Sequence, residues 1–226
     1  QLAALYQFFI TFALKQVCGF WASDSTPRKI PAMESINQTL FFWLNAPANP
    51  LLAIKLAAEF FATYLIFLLP LTQAYHWLRH PASRPVWVGS LLSILLTLSL
   101  NQIIGLFYQH PRPFMAHEGH TLISHVADSS FPSDHLSVIW SAAIFLCLNR
   151  STRRWGVLWL LLGIPVAWSR IYLGVHYPMD MVGAFAISLL AASAVRILPL
   201  HTANRLIETA YRRLLAYPIK KGWLPE

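Results

Sequence analysis

The chain has 226 residues, of which 56% are hydrophobic and only 12% are charged, so its average residue is far more apolar than that of a water-soluble domain. Two cysteines are too few for a disulfide framework, which argues against a small disulfide-stabilised secreted protein. The net charge of +8 suits a nucleic-acid-binding protein or a membrane protein with basic cytoplasmic loops, and the distribution of the charges decides between these classes.

The first part of the chain, residues 1–32, has a mixed character and is treated separately from the predicted membrane domain, residues 33–226. It begins with an apolar stretch that is long enough for a membrane helix but is interrupted by Lys15 and Gln16. A polar stretch that contains two prolines follows. The segment therefore has three interpretations: an additional span, a signal-type segment, or an extension upstream of an initiator at Met33.

An amphipathic helix at the membrane surface is predicted for residues 35–46, because apolar residues recur there at helical spacing. Its apolar side is expected to consist of Ile36, Leu40, Phe41 and Leu44.

Five apolar segments follow this helix, and a membrane helix needs about 20 apolar residues to cross a hydrocarbon core about 30 Å thick. The third segment is short by hydropathy because its first turn carries polar residues. We therefore predict an all-helical fold in which the segments form a single membrane bundle. The predicted spans are residues 51–78, 86–108, 136–148, 155–171 and 181–198.

The positive charges are concentrated at alternate ends of these spans. Lysine and arginine residues gather after the first span, after the third span and in the C-terminal tail, so these connections are predicted to be cytoplasmic. The segment before the first span, the loop 109–135 and the turn 172–180 then share the opposite face. Because the charges follow the loops, we predict a bilayer as the partner of this protein and exclude a broad basic surface for nucleic acid.

Three polar clusters interrupt the apolar sequence, and the predicted topology places all three on the extracytoplasmic face. They end the second span, begin the third, and join the fourth to the fifth. Ionisable residues at membrane depth are costly to bury and usually face a cavity. The polar residues of these clusters are His110, Arg112, Ser130, Ser133, Asp134, His135, Ser169, Arg170, His176 and Asp180.

Part of this set is suited to holding a phosphate group. Arg112 and Arg170 supply forked, permanently charged donors that match the geometry of phosphate oxygens better than a lysine does. Ser133 lies at the start of a predicted helix, where unpaired backbone N–H groups and the helix dipole favour an anion. We predict that these groups form a phosphate-binding site and that no carboxylate cluster for a metal ion accompanies them.

The remaining groups are suited to acid–base and nucleophilic chemistry. His135 and His176 supply two imidazoles that titrate near neutral pH and can act as nucleophile and as proton donor. Asp180 lies four residues after His176 and can reach its ring if Pro178 occupies the first turn of the fifth span. Such a carboxylate fixes the tautomer of the imidazole and stabilises its charged form.

Each residue also has a simpler structural interpretation. His110, His120 and His125 are more easily explained as helix caps or surface residues than as catalytic groups. Arg112 could extend to lipid headgroups as an anchor, and Asp134 could be the N-cap of the third span. The placement of all the clusters on one face, with complementary roles, favours a catalytic site.

At these residues the sequence resembles the type 2 phosphatidic acid phosphatase superfamily of membrane lipid phosphatases. Its third signature, Ser-Arg-x5-His-x3-Asp, is complete, whereas the second, Pro-Ser-Gly-His, has Asp134 instead of glycine and the first, Lys-x6-Arg-Pro, has Gly105 instead of lysine. These departures, together with residues 127–131, 167–170 and 218–223, are similar to the bacterial undecaprenyl-diphosphatase branch, the bacitracin-resistance type.

The resemblance implies a bundle of about six transmembrane helices in the bacterial inner membrane, with an active site that faces the periplasm and needs no metal or other cofactor. It implies that His176 is the nucleophile, Asp180 its orienting carboxylate and His135 the general acid. Either His110 or Lys55 is a candidate to replace the absent lysine, although Lys55 could equally pair with Glu59 one helical turn away. The implied phosphate ligands are Arg112, Ser133, Ser169 and Arg170.

The expected function is hydrolysis of the terminal phosphate of undecaprenyl diphosphate through a phosphohistidine, which recycles the cell-wall lipid carrier. The nearest alternatives are a phosphatidylglycerophosphate or phosphatidic acid phosphatase and a lipid phosphotransferase. An anion or lipid-phosphate translocation protein is the alternative from another class. A transporter needs no histidine oriented by an aspartate, and transporters often contain paired halves.

Overall fold

The computed structural model describes residues 32–199, 201–223 and 225, so the predicted N-terminal segment, residues 1–32, lies outside the described residues except for Ala32. The chain divides into two compact units, Gln1–Ser35 and Ile36–Glu226. The described residues of the first unit, 32–35, are helical, and the second unit contains residues 36–44 of the first helix and every later element.

All the regular structure of the described residues is helical, as predicted. A π-helical turn, Phe60–Tyr64, joins α2 to α3 in one continuous helix, and a short 3₁₀ turn, Pro81–Ser83, precedes α4. The helices are α1 (Ala32–Leu44), α2 (Leu52–Glu59), α3 (Leu65–Arg79), α4 (Arg84–Phe107), α5 (Asp134–Cys147), α6 (Arg153–Tyr172), α7 (Pro178–Ile197), α8 (His201–Leu214) and α9 (Ala216–Lys220).

The five predicted spans are confirmed as helices, with ends that differ from the prediction by no more than three residues. Four of them are long and apolar enough to cross a membrane: Leu52–Arg79, Pro81–Phe107, Arg153–Tyr172 and Pro178–Ile197. The third span, α5, has only 14 residues, which corresponds to a length of about 21 Å. Because the hydrocarbon core is about 30 Å thick, at least one end of α5 must lie below the membrane surface.

The centre of the bundle is α5, which packs against α4, α6 and α7, while α4 also packs against α7. Leu136, Ile139 and Ala142 of α5 are fully buried in this core. The outward faces of the long helices carry large exposed apolar side chains, such as Leu106 and Leu190. This distribution, apolar toward the outside as well as in the core, is typical of helices that face lipid.

Several small polar side chains lie between the helices. Ser93 of α4 donates a hydrogen bond to the carbonyl oxygen of Ser141 at 3.3 Å, and Ser188 of α7 donates to the carbonyl oxygen of Ser137 at 3.2 Å. Small hydroxyl residues of this kind let membrane helices approach closely and bond across their interface.

Helix α1 is present, and three of the four residues predicted for its apolar side face away from the protein. Phe41 is fully buried, whereas Ile36, Leu40 and Leu44 are exposed. The side that packs on the protein carries Asn37, whose side-chain oxygen accepts a hydrogen bond from the backbone N–H of Met179 at 3.0 Å. This contact satisfies a backbone donor at the start of α7. The three exposed residues remain available to a membrane interface.

A close approach of α5 and α6 requires glycine at position 156. A Cβ atom at this position would lie 2.6 Å from the carbonyl oxygen of Ala143 and 2.5 Å from the backbone nitrogen of Cys147. Backbone atoms cannot move aside as a side chain can, so the helices would have to separate.

We expect Gly156→Ala to lower the free energy of unfolding by about 1–3 kcal/mol, the usual cost of overpacking, although alanine favours a helix more than glycine does. Gly105→Ala is the matched control, because the nearest atom to a Cβ there is 3.9 Å away. Thermal unfolding of both variants in detergent tests this expectation. Equal melting temperatures for the two variants would contradict the close approach of the helices.

Candidate active site

The three polar clusters come together at one end of the bundle. Arg112 of the first cluster contacts His176 of the third, and the backbone N–H of Ser133 donates to the carbonyl oxygen of Asp180 at 3.3 Å. The backbone N–H of Ser130 donates to the carbonyl oxygen of His110 at 2.7 Å. Residues that are far apart in the sequence therefore share one buried site.

The contact between His176 and Asp180 follows from the way in which α7 begins. Pro178 is its first residue, and Tyr177 is the N-cap. Asp180 in the first turn accepts a hydrogen bond from the backbone N–H of Tyr177 at 2.8 Å, which satisfies one unpaired donor of the helix start. The same oxygen, Oδ2, lies 3.0 Å from Nδ1 of His176. The contact predicted from the four-residue spacing is therefore present.

The hydrogen bonds of His176 define its tautomer. An ionised carboxylate only accepts hydrogen bonds, so Nδ1 of His176 carries the proton that is donated to Asp180. The guanidinium of Arg112 can only donate, and its Nη1 lies 2.9 Å from Nε2 of His176. Nε2 therefore carries a lone pair, which is the requirement for a nucleophile.

The environment of His176 also keeps its ring neutral. The side chain is 1% exposed, and burial lowers the pKa of His176 to about 4, with Arg170 and Arg112 acting in the same direction. The hydrogen bond and the charge of Asp180 oppose this shift. Because the lowered pKa lies well below 7, the imidazole is a free base at neutral pH.

Ser130 belongs to the second polar cluster, but no role in the site was predicted for it from the sequence. Its hydroxyl is fully buried, donates to Oδ2 of Asp180, and lies 3.4 Å from Nδ1 of His176. It therefore helps to hold the carboxylate against the imidazole. The sequence contained one signal for it, because Ser130 precedes the Phe-Pro-Ser-Asp-His segment directly.

Arg112 uses its donors mainly within the protein. Its Nε donates to Oδ1 of Asp128 at 2.7 Å, its Nη2 donates to the carbonyl oxygen of Ser129 at 3.2 Å, and its Nη1 also donates to the carbonyl oxygen of Val175 at 2.9 Å. The side chain is buried and does not extend to the surface as an anchor. For Asp128, as for Ser130, no role in the site was predicted from the sequence.

Arg170 has more donors available than Arg112. Its side chain is buried, and its Nε has no hydrogen-bond partner among the described residues. Its Nη2 lies 2.8 Å from Nε2 of His125. The neighbouring Ser169 is also buried, and its hydroxyl donates to the carbonyl oxygen of Val166 at 2.8 Å within the same helix. Arg170 therefore offers unused donors to an anion, whereas the hydroxyl proton of Ser169 is already engaged.

The start of α5 lies beside these groups. Ser133 is its N-cap, and the side-chain oxygen of this fully buried residue has no hydrogen-bond partner within the described part of the chain. The alternative that Asp134 is the N-cap is therefore wrong. Asp134 instead accepts hydrogen bonds from Asn101 at 2.8 Å and Gln102 at 3.4 Å, which link the end of α4 to the start of α5.

His135 follows in the first turn of α5 and is half-buried. Its imidazole interacts electrostatically with Arg170, His176, His125 and Arg112. The second histidine of the predicted pair is therefore in the same site as the first.

The interpretation of His125 as a cap or surface residue is wrong. Its side chain is only 19% exposed, contacts Arg170, and lies with its ring centroid 6.2 Å from that of His176. By contrast, His120 is exposed, and its backbone N–H donates to Asn45 at 2.7 Å. The long loop gave no periodicity from which these two histidines could be distinguished.

The two candidates for the absent lysine have other contacts. The ring of His110 packs against Tyr108 at 5.9 Å and against Tyr177 at 5.2 Å between centroids. Nζ of Lys55 lies 3.7 Å from a carboxylate oxygen of Glu59, so the alternative pairing predicted from the sequence is present.

The family model of the PAP2 superfamily matches residues 86–202. The YbjG protein of Escherichia coli (strain K12), named for an undecaprenyl-diphosphatase activity, is 34% identical over 197 residues, which cover 85% of this chain and 98% of the relative. The undecaprenyl-diphosphatase BcrC of Bacillus subtilis (strain 168) is 39% identical over 93 residues, which cover 41% of this chain and 47% of the relative.

Two solved structures share the fold. LpxE of Aquifex aeolicus has a TM-score of 0.62 at 20% identity, and the match covers 72% of this chain and 96% of LpxE. A transmembrane PAP2-type phosphatidylglycerolphosphate phosphatase from Bacillus subtilis has a TM-score of 0.54 at 21% identity, and the match covers 86% of this chain and 93% of that protein. At these identities the likeness concerns the fold alone.

Proposed function

The chain belongs to the PAP2 superfamily, and from this premise we propose that it is an undecaprenyl-diphosphatase that removes the terminal phosphate through a covalent phosphohistidine. One observation carries the proposal: His176 is a buried neutral imidazole with Nδ1 bonded to Asp180 and the lone pair of Nε2 directed at Arg112. The relatives named for undecaprenyl-diphosphatase activity support the choice of substrate.

In the first step, Nε2 of His176 attacks the terminal phosphorus in line with the bridging oxygen. A bond forms between Nε2 and phosphorus, the bond to the bridging oxygen breaks, and undecaprenyl phosphate leaves with the electron pair. The attacked phosphoryl group must approach from the side on which Nη1 of Arg112 lies, 2.9 Å from Nε2. The guanidinium then donates to a phosphoryl oxygen instead of to the imidazole.

The unused donors of the site hold the other phosphoryl oxygens. Nε of Arg170 and the hydroxyl of Ser133 are buried and have no partner in the described residues, and an oxyanion supplies the partner that each lacks. Donors fixed in advance around a transferring group stabilise its developing charge without reorganisation. In this arrangement Ser169 does not donate to the phosphate, because its hydroxyl is bonded to the carbonyl oxygen of Val166 in its own helix. Asp134 fixes the position of α5 through its contacts with α4.

In the second step, a water molecule attacks the phosphohistidine. His135 removes a proton from the water, the bond between Nε2 and phosphorus breaks, and inorganic phosphate leaves. The same residue donates a proton to the leaving group in the first step, so it alternates between acid and base. Asp180 stabilises the charged imidazole at each stage.

The protein is a multi-pass membrane protein, and we place it in the bacterial inner membrane with the active site at the periplasmic face. The bilayer and its lipid substrate are then its partners. The distribution of basic residues supports this orientation, because they gather at the end of the bundle away from the site.

Single-cysteine labelling in intact cells tests the orientation. In a background with Cys18→Ser and Cys147→Ser, we expect Val126→Cys in the loop between α4 and α5 to react with a membrane-impermeant maleimide. Ser151→Cys between α5 and α6 is the matched control, because it is also exposed but is predicted to be cytoplasmic. Labelling of position 151 without labelling of position 126 would reverse the topology.

Phosphate release by the purified protein tests the proposed function. We expect the largest kcat/KM with undecaprenyl diphosphate, compared with phosphatidylglycerophosphate and phosphatidic acid, and we expect turnover to persist in excess EDTA. A preference for one of the other lipids would change the substrate, and transfer of phosphate to a second lipid would indicate a phosphotransferase. If no phosphate is released from any lipid phosphate, the result would favour the translocation alternative and would contradict the proposed phosphatase activity.

A further inference from the structure

A third histidine lies in the active site without a role in the mechanism described above. His125 belongs to the loop between α4 and α5, and its Nε2 lies 2.8 Å from Nη2 of Arg170. Its ring centroid is 6.2 Å from that of the nucleophile His176. This distance is short enough for one phosphate group to reach both imidazoles, so His125 lies beside the proposed position of the substrate.

The protonation state of His125 can be derived from its two contacts. Arg170 can only donate, so Nε2 of His125 must accept and carries no proton. The other ring nitrogen, Nδ1, lies 3.1 Å from the carbonyl oxygen of Val126 and donates to it. His125 is therefore neutral in the free protein. It accepts from one donor of Arg170, which has more donors available for a phosphate than Arg112 has.

The groups around His125 favour this neutral state until an anion arrives. Arg170 on α6 and Arg112 on the same loop as His125 are positive. Asp128, also on this loop, lies 4.0 Å from Nδ1 of His125 and is itself paired with Arg112. His135 on α5 and His176 before α7 are the other titratable neighbours. A phosphate group bound by Arg170 would bring negative charge next to Nε2.

We propose that His125 is a further substrate-binding residue, which accepts a hydrogen bond from Arg170 in the free enzyme and takes up a proton to donate to a phosphoryl oxygen when substrate binds. The inference rests on the proposed function, because it assigns a role within the same site. The proton comes from the solvent and returns to it when phosphate leaves. His125 thus supplies a positive charge to a site that lacks the lysine of the first signature.

The direction of the resulting pH dependence follows from the surroundings. Burial lowers the pKa of His125 in the free protein, with Arg112 and Arg170 acting in the same direction, whereas the bond to Val126 and the charge of Asp128 raise it. The charge of a bound phosphate raises the pKa in the complex. Between the two pKa values, binding takes up a proton, so the affinity falls as the pH rises, by at most about tenfold per pH unit.

Sulfate is a suitable probe, because it resembles a phosphate dianion but does not titrate near neutral pH. Calorimetric titration of the full-length protein with sulfate, in two buffers of different ionisation enthalpy, counts the protons taken up on binding. We expect uptake that approaches one proton in the wild type and in His120→Gln, the matched control on the exposed part of the same loop. We expect the uptake to be lost in His125→Gln, which retains an acceptor for Arg170 but cannot become charged.

A kinetic measurement completes the test. For undecaprenyl diphosphate, KM of the wild type is expected to rise with pH, whereas KM of His125→Gln is expected to be higher at low pH and to vary less. Equal proton uptake in the wild type and His125→Gln, or no uptake in the wild type, would overturn the assignment. If sulfate binds with the expected uptake but no lipid phosphate is hydrolysed, the proposed function fails while the role of His125 in anion binding stands.

Discussion

Replacement of His176 by alanine is expected to reduce turnover of undecaprenyl diphosphate by on the order of 10⁴-fold or more, because it removes the atom that forms the covalent bond in the proposed mechanism. The residue is buried between Asp180 and Arg112, so no neighbouring imidazole can take its place without movement. Steady-state phosphate release with purified protein measures the loss, and rapid quench measures the phosphoenzyme, which should be absent from His176→Ala.

Asp180→Asn is the companion variant, because it preserves the shape of the side chain but can donate a hydrogen bond where the carboxylate only accepts. We expect its turnover to fall between those of the wild type and His176→Ala, since the proton on Nδ1 of His176 is no longer fixed. Melting temperatures of both variants must show that the proteins are folded. Near-normal turnover in a folded His176→Ala protein would remove the covalent mechanism and the assigned roles together.

The second large effect is expected for His135→Ala, and its size should depend on the leaving group. General acid catalysis contributes about 10²- to 10⁴-fold, and an alkoxide that leaves from a phosphate monoester requires it more than undecaprenyl phosphate that leaves from a diphosphate. We therefore expect His135→Ala to reduce kcat/KM for a monoester by about 10²- to 10⁴-fold and to reduce kcat/KM for undecaprenyl diphosphate by less. The measurement is kcat/KM of the same preparation on both substrates, because kcat/KM includes the departure of the leaving group but not the later attack of water, in which His135 acts as a base for both substrates.

His120→Ala provides the control for His135→Ala, because it removes an imidazole from an exposed position outside the site. It should leave both rates unchanged. If His135→Ala reduced the two rates by the same factor, the residue would not act as the proton donor to the leaving group.

The helices and the centre of the site could be predicted from the sequence because each depends on local physical rules. Hydropathy and length determine the spans. The helix that begins at Pro178 places Asp180 in its first turn, close to His176, which precedes Asp180 by four residues. The same reasoning placed Arg112 and His135 on one face through the distribution of positive charge. The His176–Asp180 contact joins residues that are close in the sequence. The shared face of Arg112 and His135 follows from the number of spans that separate the loops.

The residues whose roles in the site were not predicted belong to the long loop between α4 and α5. Asp128, Ser130 and His125 take their positions from contacts with Arg112, Asp180 and Arg170, which are distant in the sequence and have no periodic relation to the loop. The side of α1 that faces the protein could not be predicted for a related reason. The contact of Asn37 with the backbone of Met179 joins residues that are distant in the sequence.

The covalent mechanism is tested most directly by rapid quench of the purified wild-type protein with undecaprenyl diphosphate labelled in its terminal phosphate. We expect a transient acid-labile, base-stable label on His176, formed as fast as undecaprenyl phosphate is released and absent from His176→Ala. Full turnover without such a label, or a label on another residue, would contradict the mechanism in which His176 is the nucleophile.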